Sequence, residues 1–320
     1  MLLFNSFPKV ADTPANRDFR KYFYSKWGKE TGIISARERH AEYPDFTQRL
    51  SIKAAWGGSE LYFLDRRTIA VDDDNYLLVN DQRTYRSLLK SAEPVHSFSI
   101  FFRPGLAEET LGALLTPEDR LLDHGDELLP RPTEFAEMLR PHDAQVSPIL
   151  RYIAREVDRG FNDEMWYEEQ LSFLLERILR VHRADLTITN SLCNSRQATR
   201  CEIFRRVGWS TDYIHTNYAR PITIRDLARS ACLSTYHFIR LFQAVRGMTP
   251  FVYLQRKRAK VAKRLLQSTK LSLDTIAMQA GFDSRSTLFR QLRRLTGAGA
   301  RTLRRRGNIP PAQGPGLARA

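Results

Sequence analysis

Cysteine is scarce and dispersed, with three in 320 residues: Cys193, Cys201 and Cys232. So few thiols exclude a disulfide framework, and their spacings suit no zinc site, so a reducing compartment is expected. Long apolar runs are missing as well. No unbroken apolar stretch exceeds five residues, which excludes a transmembrane helix, and no basic segment followed by a long apolar core opens the chain. A cytoplasmic location follows as an expectation. The third scarcity is local: from Thr211 to Arg306 there are four acidic residues, Asp212, Asp226, Asp274 and Asp283, against 20 Lys and Arg. What remains is ordinary globular composition, 42% hydrophobic and 27% charged, in a length suited to about two domains.

The whole chain carries a net charge of +14, the block from Thr211 to Arg306 carries +16, and the first 210 residues carry −3. One third of the chain therefore holds all the excess. A solubilising surface mixes both signs, and a membrane-surface helix needs bulky apolar residues opposite its basic face. A basic block of this kind predicts a polyanionic partner, because each Lys or Arg placed on a phosphate releases counterions.

The same block contains an internal repeat. Thr223-Ile224-Arg225-Asp226-Leu227-Ala228 reads as a helix start with a capping box, and Ser272-Leu273-Asp274-Thr275-Ile276-Ala277 is its counterpart, with Thr at the fourth place. Tight turns follow at Ala231-Cys232-Leu233 and Ala280-Gly281-Phe282-Asp283, ending at Ser234 and Ser284, each suited to cap a second helix. From there the register is a constant fifty: Phe238, Phe242 and Val245 match Leu288, Leu292 and Leu295, a stripe at i, i+4, i+7 that must face a core. Gly247 and Gly297 are the expected helix stops. Short helix, tight turn and amphipathic helix is the helix-turn-helix, whose second helix enters the major groove. Two in register inside a basic block predict DNA binding.

Between the copies Pro250 opens a helix running to about Gln267, bound to both modules through Tyr253 or Leu254, Val261 and Leu265. Arg256, Lys257, Arg258, Lys260, Lys263 and Arg264 are read as its basic surface. Its length, roughly 25 Å at about 1.5 Å per residue, allows the second helices to sit about one DNA turn apart, near 34 Å.

From about Ala198 to Arg306 the sequence resembles the DNA-binding domain of AraC/XylS-type bacterial transcription regulators. The resemblance is carried by Leu227-Ala228, Leu233-Ser234, Phe238-Ile239-Arg240-Leu241-Phe242, Gly247-Met248-Thr249-Pro250, Tyr253-Leu254, Arg258, Ala262, Leu265-Leu266, Ile276-Ala277, Gly281-Phe282, Ser286 and Arg290. It departs from the pattern at Gly297-Ala298-Gly299-Ala300, at Leu303-Arg304, and in having leucine at 288 and 292. A looser, more mobile second module with less base specificity is the expected consequence.

Opposite the core stripe, the first copy presents Thr235, Tyr236, Ile239, Arg240 and Gln243, and the second presents Arg285, Ser286, Phe289, Arg290 and Arg293. The resemblance implies that Tyr236, Ile239, Arg240, Arg285, Ser286, Phe289 and Arg290 approach bases. Arg can take guanine O6 and N7 in two bonds, and exposed Ile or Phe can touch a thymine methyl. For each Arg a phosphate contact is the alternative, and for Ile239 and Phe289 it is local packing.

The neutral remainder reads as strands from about 48 to 103, with runs at Arg49–Ala54, Glu60–Leu64, Thr68–Val71, Tyr76–Val79 and Val95–Phe102 and turns at Gly57-Gly58 and Asp72–Asn75. Short strands at this spacing suggest a small sandwich or barrel, and the layout resembles the cupin-like sensor half of the same regulators. Cupin metal sites use clustered histidines. Gly57–Leu64 has none, and His40 and His96 stand alone, so no metal or other cofactor is expected. Helices follow at about 148–182, with Ile149, Ile153 and Val157 on one face, then Leu171, Leu174 or Leu175, Ile178 and His182 after a turn at Gly160–Asp163. These helices either pack on the barrel or, as the resemblance implies, form a dimerisation hairpin. Leu186–Thr199 reads as a linker, and Cys193 and Cys201 near its end are inert thiols or a redox pair.

The expected fold is thus α+β in two domains. Residues 1–195 form a cupin-like β sandwich or barrel with a helical hairpin, residues 196–306 an all-α domain with two tandem helix-turn-helix modules, and 307–320 a flexible tail. The expected function is a sequence-specific, non-enzymatic transcription regulator whose N-terminal half senses an unknown effector or dimerises. Double-stranded DNA is its partner, and RNA polymerase is a further candidate. The rival readings are a non-specific architectural DNA binder, disfavoured by the varied chemistry of Tyr236, Ile239 and Arg285, and a cupin-type enzyme fused to a DNA-binding domain, disfavoured by the missing ligands.

Overall fold

β-Branched and aromatic runs broken by short turns build a mixed sheet in the first part of the chain. The computed structural model describes residues 1–8, 16–115, 134–190 and 197–307. Among these the strands are β1 (Leu2–Phe4), β2 (Gly32–Gln48), β3 (Ser51–Trp56), β4 (Ser59–Leu64), β5 (Arg67–Asp72), β6 (Asn75–Val79), β7 (Arg83–Phe101) and β8 (Leu139–Pro141). Helices α1 (Arg17–Lys26) and α2 (Leu106–Leu115) flank the strand-rich stretch. The strand order is β1-β2-β7-β3-β6-β8, with β4 paired to β5 and β7. β1 runs parallel to β2 and the remaining pairs are antiparallel.

β7 organises the sheet. Its first half pairs with β4 and the end of β2, and its second half pairs with β3 and the start of β2. Register shifts at Glu38/His40 and Tyr43/Phe46 supply the irregularity that lets so long a pair bend. Strands therefore extend well outside the expected 48–103 range. β2 was missed because Arg37–Glu42 is a charged run without apolar alternation, and its residues are mainly exposed.

The expected helices are present as α3 (Val146–Asp158) and α4 (Glu164–Asn190). Ile153, Val157, Leu171, Leu174, Leu175 and Ile178 join Ile52, Ala54, Phe98 and Ile100 in one buried core, so the sheet itself covers this stripe. Residues one position along, Ala55 and Leu77, face the other way into a second core with Tyr62, Ile69, Val71 and Tyr85. α4 also absorbs Leu186–Asn190, the first five residues of what was read as a linker: Thr187 and Thr189 donate to the carbonyls of Arg183 and Asp185, satisfying their hydroxyls within the helix.

α5 (Gln197–Asn217) takes up the far end of that linker. The chain divides into two compact units at Asp212/Tyr213, within α5, because buried Asp212 accepts from the Leu139 N–H (2.8 Å) and from Arg67 (3.4 Å). The boundary expected at 195/196, Cys193 and tail residues 308–320 lie outside the described residues.

In the second unit the described residues are helical: α6 (Ile224–Ser230), α7 (Thr235–Arg246), α8 (Pro250–Ser268), α9 (Leu273–Gln279), α10 (Arg285–Thr296) and α11 (Ala300–Gly307). α8 is the spine, with Leu254, Ala259, Val261, Ala262 and Leu266 buried along it. Among the described residues no helix is long and apolar enough to cross a membrane.

Candidate nucleic-acid interface

Two helix pairs, α6–α7 and α9–α10, repeat the same local construction. Thr223 and Asp226 form a reciprocal capping box at the start of α6, and the Ser272 hydroxyl accepts the Thr275 N–H (3.1 Å) at the start of α9. Ser284 caps α10 through the Thr287 N–H (3.2 Å). Ser234 departs from expectation: it occupies the N-cap of α7 with extended backbone, but its side chain makes no capping bond. Gly247 and Gly297 end α7 and α10 in the left-handed conformation, at φ 66° and 68°, where the absence of Cβ removes a steric penalty.

Phe238, Phe242, Leu288 and Leu292 are fully buried, which fixes the rotation of α7 and α10 and sends the opposite faces outward. On α7, Tyr236 is 78% exposed and Ile239 37%, Arg240 and Gln243 are exposed, and Thr235 is half-buried. On α10, Phe289 is also 37% exposed, while Arg285, Ser286, Arg290 and Arg293 are exposed. All ten expected site residues therefore lie on the accessible sides of these two helices. Arg285 leans toward Asp274 of α9 at 3.6 Å, a solvent-exposed pair that contributes little and leaves the guanidinium available. The spacing argument missed exposed His237 on α7 and Arg301 on α11, which borders a groove beside α10 with Arg285, Phe289 and Arg293.

The basic surface of α8 needs correcting at two places. Arg256, Lys260 and Lys263 are exposed, but Lys257 and Arg258 are buried. Arg258 donates from Nε to the Tyr218 carbonyl and from Nη2 to the Arg220 carbonyl, both at 2.8 Å. It ties the turn after α5 to α8, and burial lowers its pKa. The Lys257 amine lies 5.3 Å from the centre of the Tyr218 ring. Charge alone marked both as solvent-facing, whereas the neighbouring carbonyls and ring are contributed by residues some forty positions earlier.

One group in the first unit has the residue types of a nucleophilic triad in the wrong order. The Ser35 hydroxyl donates to Asp158 Oδ1 (2.6 Å) and also meets His96 Nε2 (2.7 Å). With its single proton directed at Asp158, Ser35 accepts from His96 Nε2–H. A catalytic histidine must instead take the serine proton and lean on the carboxylate. This relay joins β2 and β7 to α3. Among the described residues no three His, Cys, Asp or Glu side chains gather as a metal site. Cys201 is half-buried and Cys232 exposed.

Residues 227–306 match a helix-turn-helix domain family. The chain is 30% identical over 141 residues to the transcriptional regulator LumQ of Photobacterium leiognathi, covering 40% of this chain and 56% of that protein. It is 27% identical over 173 residues to an AraC-like transcription regulator of Streptomyces lividans, covering 53% of this chain and 55% of that one. A solved structure of the AdpA DNA-binding domain with a target DNA is 26% identical, covering 32% of this chain and 91% of that one, at a TM-score of 0.31. The chain spans about half, or less, of the length of the curated relatives it matches. The C-terminal region of this chain is an AraC-type helix-turn-helix DNA-binding domain.

Proposed function

We propose that the whole chain is a sequence-specific transcription regulator. Its C-terminal unit would read an asymmetric site through two tandem helix-turn-helix modules, and its N-terminal sheet, read as cupin-like, would sense an effector. The observation that supports this most directly is the duplicated surface: α7 and α10 present equivalent outward residues, fifty positions apart, in a region with 20 basic and four acidic side chains. Arg240→Ala and Arg290→Ala should each weaken binding to the mapped site by about 1–3 kcal/mol, through loss of a base or phosphate contact. Fluorescence anisotropy on that site is the check, and unchanged affinity removes the residue from the reading. Equal losses on random DNA would instead favour the architectural binder.

The two modules are proposed to contribute unequally. Leu288 and Leu292 leave no exposed gap, and Ala300 and Leu303 of α11 complete their core. The difference therefore rests on the closing turn, where a Cβ at Gly299 would meet nothing within 4 Å. A base-by-base substitution scan should show the larger penalties in the half-site read by α7 and a steeper salt dependence in the other. Equal profiles would end this asymmetry.

A homodimer through residues 148–182 is proposed on a different footing from the buried stripe. Tyr152, Phe161, Met165 and Phe173 remain exposed on this hairpin, Met165 at 81%. Replacing Met165 and Phe173 together by glutamate should convert a dimer to a monomer in sedimentation velocity and reduce apparent DNA affinity by about 100-fold, the low end of an avidity effect. A wild-type chain that is monomeric at micromolar concentration would remove the dimer.

A further inference from the structure

Strand alternation places one charged side chain inside the N-terminal sheet. On β3, Ile52 and Ala54 face α3 and α4, so Lys53 points the opposite way. It is 1% exposed, which is rare for a lysine outside an ion pair. Its amine lies 3.5 Å from the centre of the Phe101 ring and 5.4 Å from that of Tyr85. Among the described residues no carboxylate comes within ion-pair distance of it, and burial pushes its pKa well below the lysine range against the longer-range attraction of Glu60.

Lys53 lines a cavity of about 320 Å³ whose walls include Trp27, Tyr43, Phe46, Tyr62, Tyr85 and Phe101. That volume lies at the small end of ligand pockets, about 300–1,000 Å³. The second charged group there, Glu60, accepts a hydrogen bond from the Ser97 hydroxyl at 2.7 Å. The Tyr85 hydroxyl is buried near Ser51 without a hydrogen bond of normal geometry. The cavity thus has aromatic walls, a lysine amine that makes no close ion pair, and a carboxylate hydrogen-bonded to Ser97.

We propose that this cavity binds a small aromatic monocarboxylate, its ring against the aromatic wall and its carboxylate on the Lys53 amine. A lysine ammonium has three donors and no acceptor, which suits an acceptor-only head group. Offset or edge-on ring contacts fit the flat body. Glu60 in the same space disfavours a second negative charge, as a phosphate would bring. A cationic ligand would compete with Lys53 for the face of Phe101. Pairing with the incoming anion favours the ammonium and so opposes the effect of burial. The inference deepens the sensing role proposed above and rests on that reading only for its consequence at DNA.

The test is calorimetry on the full chain with 2-naphthoate, 2-naphthamide and 2-naphthylmethylamine. The acid should bind at least about tenfold tighter than the amide. Lys53→Met, which keeps the stem and removes the amine, should lose that tenfold while binding the amide as before. Equal binding of acid and amide to the wild-type chain, tightest binding of the amine, or no binding of the acid would overturn the proposal without reference to any variant. DNA affinity measured with and without the acid separates the two readings. Acid binding that leaves DNA affinity unchanged retains the cavity assignment and removes the sensing role, whereas a DNA response with no acid in the cavity does the reverse.

Discussion

Gly281→Ala is expected to destabilise the C-terminal domain by about 2–5 kcal/mol, whereas Gly247→Ala costs about 1–2 kcal/mol. Both glycines are left-handed, with φ of 82° and 66°, so both substitutions incur the conformational strain. The difference lies in what a methyl group would meet. At Gly247 nothing lies within 4 Å. At Gly281 it would overlap the Tyr218 carbonyl oxygen and lie 2.9 Å from Arg258 Nε and 3.0 Å from Ala219 Cα. Two of these are backbone atoms, and the third belongs to the guanidinium that holds the same carbonyl. The equivalent position in the first helix pair supports this division. Cys232 adopts a φ of 51° there with an ordinary side chain, so a left-handed residue in this turn can carry a Cβ. Urea denaturation of the two variants beside wild type is the measurement. Equal losses, or a loss below about 1 kcal/mol at Gly281, would show that the Tyr218 joint yields.

Acid should cost the N-terminal unit about 3 kcal/mol between pH 7 and pH 4 through His96 alone. Burial pulls the imidazole from 6.5 down to about 4, outweighing the attraction of Asp158, while Arg37 adds to the lowering. The folded state therefore holds His96 neutral where the unfolded chain already binds a proton. Its contribution is complete above pH 6.5 and is lost as pH falls toward 4. His182 is lowered by burial too and acts in the same direction. Asp158 is held low by its bonds to Ser35 and Arg37, so its contribution is lost at still lower pH. The Trp56 ring is 5.1 Å from that of His96, which makes tryptophan fluorescence a local reporter of unfolding. His96→Gln removes the titration and keeps an amide donor for Ser35, so its stability should be flatter across this window. A slope as steep as wild type would rule out His96 as the source.

The C-terminal domain was legible because its determinants are local. A capping box acts over four residues, a left-handed stop needs one glycine, and an i, i+4, i+7 stripe lies within two turns of helix. Thr223/Asp226, Gly247/Gly297 and Phe238/Phe242 accordingly occupy the predicted places. The same limit explains the misreadings. Arg258 looked solvent-facing because its acceptors at Tyr218 and Arg220 come from the turn after α5, some forty residues earlier. β2 was missed because its charged middle is held by backbone pairing to β7, whose residues lie some fifty positions away, and backbone pairing leaves no mark in side-chain polarity.

Lys53 marks the division most clearly. Alternation along Arg49–Ala54 identified a strand with two faces, and that much the sequence determined by itself, along with the basic block, the duplicated helix pairs and their stops. Which face meets solvent was decided by the tertiary structure. α3 and α4 cover one side of β3, and on the other Phe101, nearly fifty residues on and paired opposite Ser51 on β7, lies against the lysine amine. A period of two is set by the geometry of a single strand, whereas the cover on each side comes from distant segments of the chain, so polarity within the strand could not reveal that its lysine points inward.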